Sequence, residues 1–201
     1  MAPFEIIFYK EKIDIDLKLI FSYRTTMHKN YNFTTDRLEV RGWHSWGVEE
    51  LGETLPSIIK RTLTAAVTHN LPPMWQGEYT LQRAKGWIEE IDREATVLLV
   101  VDSDLSSAIG LVILFEVDTS ERGSDLRLGY LFSETSWGKG YATELIAGFV
   151  DWCKEHSVAK VIAGVEAENR ASIRVLEKNG FVLGEDIEES EELTFVVDFD
   201  Y

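Results

Sequence analysis

Trp137-Gly138-Lys139-Gly140-Tyr141-Ala142 is the stretch of this chain whose residue types and spacing point most directly to chemistry. Two glycines one residue apart let the backbone turn tightly and come close to a ligand. Downstream, Ala142, Leu145, Ile146, Phe149, Val150 and Cys153 recur at the spacing of a one-sided apolar helix, so the hexapeptide opens a helix. The first-turn N–H groups of a helix lack internal acceptors and lie at the positive end of the macrodipole, so the turn suits an anion such as phosphate. Neither common phosphate loop is spelled here. A Walker loop needs Gly-x-x-x-x-Gly-Lys-Ser/Thr, and the dinucleotide fingerprint needs a third glycine where Thr143 stands.

Such a turn works only if a strand leads into it and a sheet covers the apolar face of its helix. Arg37 to Arg41 alternates as a strand, and helices are expected over 57–67 and 80–93, separated by Pro72 and Pro73. Three β-rich runs, 96–101, 108–117 and 126–132, are joined by short turn-forming segments, which implies an antiparallel meander. After the helix at 142–153, Val161 to Val165 reads as a buried strand. Residues 168–178 read as a helix stopped by Asn179-Gly180, and a terminal pair of strands follows from Phe181. The expected fold class is α/β, a mixed sheet of six to seven strands with helices on both faces. One domain is expected over 35–201, preceded by an arm over 1–34 in which Ile13 to Leu19 alternates like an edge strand.

The 201 residues hold 35 acids against 20 Lys and Arg, a net charge of −15 that disfavours nucleic acid and anionic membrane as partners. The early apolar run Ile6 to Tyr9 is too short for a signal-peptide core, and no run approaches a membrane span. A single cysteine cannot form an internal disulfide, and Cys153 on the apolar stripe reads as a small buried side chain. The expected location is cytoplasmic. His28, His44, His69 and His156 show no metal-ligand spacing, so no metal is expected. The negative charge is uneven. Residues 182–201 hold eight acids and no Lys or Arg, whereas residues 137–181 hold six of each, so an anionic ligand is least repelled in that middle segment.

About thirty residues beyond the glycine turn stands Asn169-Arg170-Ala171-Ser172, which runs on through Leu176-Glu177-Lys178-Asn179-Gly180-Phe181. Together the two stretches resemble the GNAT superfamily of acyl-CoA-dependent N-acetyltransferases. They are most similar to the branch acting on ribosomal-protein amino termini, with motifs of the form W-G-K/R-G-Y-A-T-E and N-x-x-S-x-x-v-l-e-k-x-G-F. The resemblance runs from about Thr35 to Tyr201, is dense from Gly129 to Phe181, and is thin before Ala108. It implies the GNAT fold and acetyl-CoA as cosubstrate. The pyrophosphate would lie on the backbone of Gly138, Lys139, Gly140, Tyr141 and Ala142, just after Trp137, with Lys139 and Arg174 offsetting its charge. The pantetheine arm would follow the strand ending at Leu131-Phe132, where that strand splays from Val161 to Val165. A backbone N–H there would hold the oxyanion. Asn169 would contact the pantetheine, and Ser172 would face the thioester sulfur and stabilise or protonate the departing thiolate. Trp75 and Tyr79, before the second helix, fall near the family's acceptor region, as does the acidic stretch 185–192.

Two positions depart from many relatives. Leu176 stands where they carry a tyrosine acid, which passes that role to Ser172, and Arg127 stands where they carry a carboxylate. The general base is therefore open between Glu116, on the neighbouring strand, and Glu166, at the end of the next one. The expected activity is transfer of acetyl from acetyl-CoA to an amine acceptor, a protein or peptide α-amino group, by direct attack in a ternary complex. Two alternatives stand beside it: acetylation of a small cationic amine of polyamine or aminoglycoside type, and a non-catalytic acyl-CoA-binding module. A homodimer is left open.

Overall fold

Val97, Leu99 and Val101 alternate with Leu98 and Val100, and the two sets enter two different apolar cores, one on each face of the sheet. That alternation makes Thr96–Asp102 a central strand, β3, in an eight-stranded sheet. The computed structural model describes residues 30–69, 71–120, 123–184 and 192–199. Its other strands are β1 (Phe33–Thr34), β2 (Leu38–Gly42), β4 (Ser107–Ser120), β5 (Gly123–Phe132), β6 (Val158–Glu166), β7 (Val182–Leu183) and β8 (Glu192–Asp198). Spatial order is β1-β2-β3-β4-β5-β6-β8-β7, and every neighbouring pair is antiparallel except β5 and β6. Eight strands exceed the expected six to seven because β1 and β7 are two residues each, too short to show alternation in sequence.

Helices cover both faces. Beneath lie α1 (Val48–Leu51), α2 (Leu55–Thr62) and α3 (Leu81–Ile91), packed on Val97, Leu99, Leu111 and Ile113. This lower core is built around Trp87, whose ring meets Trp43, Trp75 and Tyr79 edge-on at centroid distances of 5.9, 5.6 and 6.2 Å. The helix expected over 57–67 ends at Thr62. The chain leaves the helix there because Leu63 takes φ of −86° and ψ of 70°, outside the helical region. On the upper face, α4 (Tyr141–Glu155) and α5 (Arg170–Lys178) bury Leu145, Ile146, Phe149, Ile173 and Leu176 against β3 to β6. No helix among the described residues is long and apolar enough to cross a membrane.

The sheet begins slightly before residue 35. Tyr31 packs on Trp152 at 4.9 Å and Phe33 on Phe149 at 6.2 Å, which ties the start of the described chain to α4. The edge strand expected over Ile13 to Leu19 lies outside the described residues. Contact between β1 and α4 depends on Gly148, where an added Cβ would stand 2.6 Å from the Thr35 methyl and 3.0 Å from the Phe33 ring. In an exposed helix, replacing Gly with Ala gains about 1 kcal/mol. Here overlap with the Thr35 methyl outweighs that gain, because relieving it must shift the β1 turn at a cost of about 1–3 kcal/mol. Gly148→Ala should therefore lower the urea midpoint. A raised midpoint would show that β1 yields freely.

Candidate functional site

Parallel pairing of β5 with β6 runs only from Ser124↔Val158 to Arg127↔Ile162. Beyond that point each strand keeps its outer partner, β5 paired with β4 up to Phe132 and β6 with β8 up to Glu166, while the edges facing each other separate. The chain leaving β5 is tied down at once. Ser133 donates its N–H to the Ile109 carbonyl at 2.8 Å, and the Trp137 indole N–H donates to the Phe132 carbonyl at 2.9 Å. Gly138 and Gly140 then take φ of +72° and +82°, a conformation in which a Cβ is strained, and α4 starts. Gly140 caps α4 and has no side chain to bond the first-turn N–H groups, which leaves them for a ligand.

Between this turn and α5 lies a cleft of about 410 Å³. Gly138, Gly140 and Tyr141 line one wall, and Ala171, Arg174 and Lys178 line the other. Positions 171, 174 and 178 share one face of α5. Among the described residues no carboxylate forms an ion pair with Lys139, Arg174 or Lys178, so these cations are left unneutralised by the protein at the cleft. Phe132, Trp137 and Ala142, expected from the sequence to meet the cofactor, also line it. Lys178 and Ala171 are additions that the i, i+3, i+7 spacing from Ala171 signals once α5 is known to face the turn.

A charged clamp fixes the turn from behind. Glu144, in the first turn of α4, accepts the Thr35 hydroxyl at 2.6 Å, the Arg37 backbone N–H at 2.8 Å and the Arg37 guanidinium at 2.6 and 2.7 Å. The same guanidinium donates to the Lys139 carbonyl at 3.2 Å and lies 4.5 Å from the centre of the Tyr141 ring. Tyr141 in turn donates its hydroxyl to Asp102, whose other oxygen accepts the N–H groups of Asp104 and Leu105. Burial pushes the Glu144 carboxyl up, but the Thr35 and Arg37 donors outweigh it and hold the group below the usual carboxylate range. The Tyr141 hydroxyl likewise holds Asp102 low. Sequence reading missed Arg37, Thr35 and Asp102 because the partners lie 39 to 109 residues apart in the chain.

The remaining expected residues are dispersed. Asn169 caps α5, its side-chain oxygen accepting the Ser172 N–H at 3.1 Å, so the cap is Asn169 and the Ser172 hydroxyl is spared that duty. Ser172 is wholly buried and its Oγ has no hydrogen-bond partner, a condition shared by the Tyr130 hydroxyl of β5. Leu131 turns its side chain into the lower core, and Cys153 is buried in the upper one. Leu176 is core as well. Glu166 ends β6 at the mouth of the splay, its carbonyl accepting the Asn169 N–H at 2.9 Å.

Glu116 is not brought there. It lies opposite Leu126, six residues along β5 from Phe132, which is roughly 20 Å at strand rise. It accepts the Tyr31 hydroxyl at 3.1 Å. In an antiparallel pair later residues of β4 lie farther from the end of β5, so Glu116 stands by the closed end of the splay, where β5 and β6 part after Arg127, and away from the glycine turn. Trp75 and Tyr79 are buried in the lower core, with the Tyr79 hydroxyl donating to the Trp75 carbonyl at 3.1 Å. T-shaped packing on Trp87 draws both rings inward, away from the acceptor-facing place that the resemblance implies. Met74 is the exposed apolar side chain of that loop. The acidic stretch 185–191 lies outside the described residues. Among the described residues no group of three or more His, Cys, Asp or Glu is placed to hold a metal ion.

A β5–β6 splay with a glycine turn and helix N-terminus at its open end is the arrangement that the sequence resemblance implies, and the family comparison agrees. Residues 37–182 match the Acetyltransferase (GNAT) domain, and the chain belongs to that family. It is 38% identical over 61 residues to the uncharacterized protein YkkB of Bacillus subtilis, a match spanning 30% of this chain and 36% of that protein. RimL, a ribosomal alpha-N-protein acetyltransferase solved with coenzyme A, superposes with a TM-score of 0.64 at 14% identity, covering 83% of this chain and 96% of that one. A spermidine N-acetyltransferase from Vibrio cholerae, solved with CoA and spermine, gives 0.60 at 18% identity over 81% and 95% of the two chains. At these identities the likeness carries the fold.

The clamp has a readout independent of any ligand. A charge pair with Arg37 at 41% exposure is screened, so Glu144→Gln should cost only about 0.5–1 kcal/mol. It should also speed amide exchange across residues 138–142. Because the Glu144 carboxyl is held low in the fold, its contribution is complete above about pH 4.5 and is lost as pH falls further. The wild type should therefore lose stability below that pH more steeply than the variant. Parallel acid profiles would mean that Glu144 is not held low.

Proposed function

We propose that this chain transfers the acetyl group of acetyl-CoA to a primary amine, with a protein or peptide α-amino group as acceptor, by direct attack. The observation that carries the reading is the cleft itself, where an uncapped helix N-terminus faces Arg174 and Lys178 across about 410 Å³ at the open end of the splay. The donor set suits a pyrophosphate: backbone N–H groups at Gly138 to Ala142, left-handed glycines that admit close approach, and the unneutralised cations Lys139, Arg174 and Lys178. The freed edge of β5 up to Leu131 and Phe132 offers main-chain groups to an extended pantetheine, beside Asn169.

The chemistry requires little beyond this. Glu166, at the end of β6, is the residue assigned to take the proton from an ammonium acceptor. The amine nitrogen then attacks the thioester carbon and a backbone N–H of the β5 edge holds the oxyanion; the carbon–sulfur bond breaks with its electron pair going to a sulfur hydrogen-bonded by the Ser172 hydroxyl, and the nitrogen's second proton passes to solvent. Buried Cys153 on α4 supports direct attack over an acetyl-enzyme. The motif resemblance and the likeness to RimL support the α-amino acceptor. The net charge of −15 and the likeness to the spermidine enzyme favour a second reading, a polyamine acceptor.

Thiol release from acetyl-CoA with a panel of N-terminal peptides and polyamines decides between them. Faster release with peptides is expected. Acceleration by polyamines alone would transfer the acceptor assignment to the second reading, and CoA binding with no amine-dependent release would leave a binding module. Gly140→Asp should abolish CoA binding by calorimetry while the protein stays folded, because it puts a Cβ on a left-handed residue and a negative charge beside the phosphates. Retained affinity in the folded variant would remove the pyrophosphate assignment.

A further inference from the structure

Two hydroxyls are left over in the upper core. Tyr130 on β5 is 2% exposed and Ser172 on α5 is 0% exposed, and neither oxygen has a hydrogen-bond partner among the described residues. Leaving such a group unpaired in a protein interior is costly, and structures rarely keep two together without a use for them. They are near neighbours: the Ser172 hydroxyl acts on the ionisation of the Tyr130 phenol, though the two fall short of a formed bond. Neither lines the cleft, but both adjoin the splay. Tyr130 lies in the part of β5 that has lost β6, and Ser172 follows Ala171, which lines the cleft.

Resting on the acetyltransferase reading, we propose that Tyr130 is a positioning residue for Ser172. When the acyl thioester fills the splay, the phenol O–H donates to Ser172 Oγ, which turns the serine's own proton toward the sulfur. The order is set by placement. Ser172 is next to the cleft stripe of α5, whereas Tyr130 is in the core among the residues packed under α4 and α5. Burial pushes the phenol well above its ordinary range, so Tyr130 stays neutral through the reaction and serves as a donor only. No proton leaves either hydroxyl. As the carbon–nitrogen bond forms and the carbon–sulfur bond breaks, the electron pair goes to sulfur, which the serine O–H stabilises. The thiolate then takes its proton from solvent, and the nitrogen, which gave its first proton to the base before attack, gives its second to solvent.

Asn169 supports the arrangement by capping α5 in place of Ser172, so the serine hydroxyl is not diverted to a backbone N–H. A stability measurement and a rate measurement should therefore disagree at Tyr130. Removing a phenol oxygen that has no partner in the ligand-free protein relieves a buried unpaired group, so Tyr130→Phe should keep or raise the melting temperature. It should lower kcat for thiol release about 2- to 13-fold, the worth of one neutral hydrogen bond, with the acetyl-CoA KM within about twofold.

The test uses the full chain. Thiol release is followed with the best amine of the panel and, in parallel, with no amine, where water is the acceptor. Tyr130→Phe is measured alone and in a Ser172→Ala background. The expected result is a kcat loss in the single variant that vanishes in the double, since the phenol acts only through the serine. A kcat loss that multiplies unchanged in the double variant overturns the proposal, as does an intact kcat or a rise in KM alone. If the wild type releases no thiol in either assay, both the transferase reading and the role of Tyr130 fall. If the wild type is active and Tyr130→Phe equals it, only the role of Tyr130 falls.

Discussion

The parting of β5 from β6 after Arg127 and Ile162 is the constraint on which the rest of the molecule depends. A parallel pair inside a sheet ordinarily continues until one strand ends, because each broken ladder step leaves an N–H and a carbonyl without a partner. Here both strands continue, each held by an antiparallel neighbour on its far side, so the sheet survives and only the inner edges open. The opening sits where the chain leaves β5 for α4 and leaves β6 for α5. In this way the N-termini of both helices are delivered to one place, and a groove with backbone donors results without any dedicated loop insertion.

Electrostatics act within that geometry. A chain with 35 acids and 20 Lys and Arg repels anions on average, so an anion site must be built locally. Glu144 stands four residues beyond Gly140, in the first turn of α4, and the fold occupies it with Arg37 and Thr35. The ion pair therefore removes a negative charge from the cleft and at the same time anchors Lys139 and Tyr141 through the same guanidinium. Arg174 and Lys178 face the cleft without such partners. Charge pairing behind the turn and absence of pairing in front of it together set the sign of the field a ligand meets.

The two cores divide the labour. Below the sheet, aromatic rings around Trp87 lock α3 and the loop before it, drawing Trp75 and Tyr79 away from solvent. Above the sheet, α4 and α5 carry the cleft, and the packing there tolerates polar atoms that have no partner, Tyr130 and Ser172. Buried polar atoms without a partner among the described residues occur on both faces, with Thr62 Oγ1 and Trp87 Nε1 below the sheet, and only the pair above it adjoins the splay.

By itself the sequence determined the parts with short-range signatures. The apolar stripe from Ala142 to Cys153 specified α4 to within two residues at either end, since periodicity in a helix is local. The meander of β3, β4 and β5 followed from alternation and short turns, and Gly138-Lys139-Gly140 marked the tight strand-to-helix turn because left-handed backbone is written in glycine. Tertiary structure decided everything that required two distant segments to meet. Nothing near Glu116 in sequence tells that antiparallel pairing carries it toward the far end of the sheet, and nothing near Arg37 tells that it closes on Glu144. Two-residue strands such as β1 and β7 form because a neighbour supplies their hydrogen bonds, and Trp75 is core only because Trp87 lies where its ring can reach. Local patterns specify elements, whereas side-chain roles depend on which elements pack together, a free-energy balance summed over the whole chain.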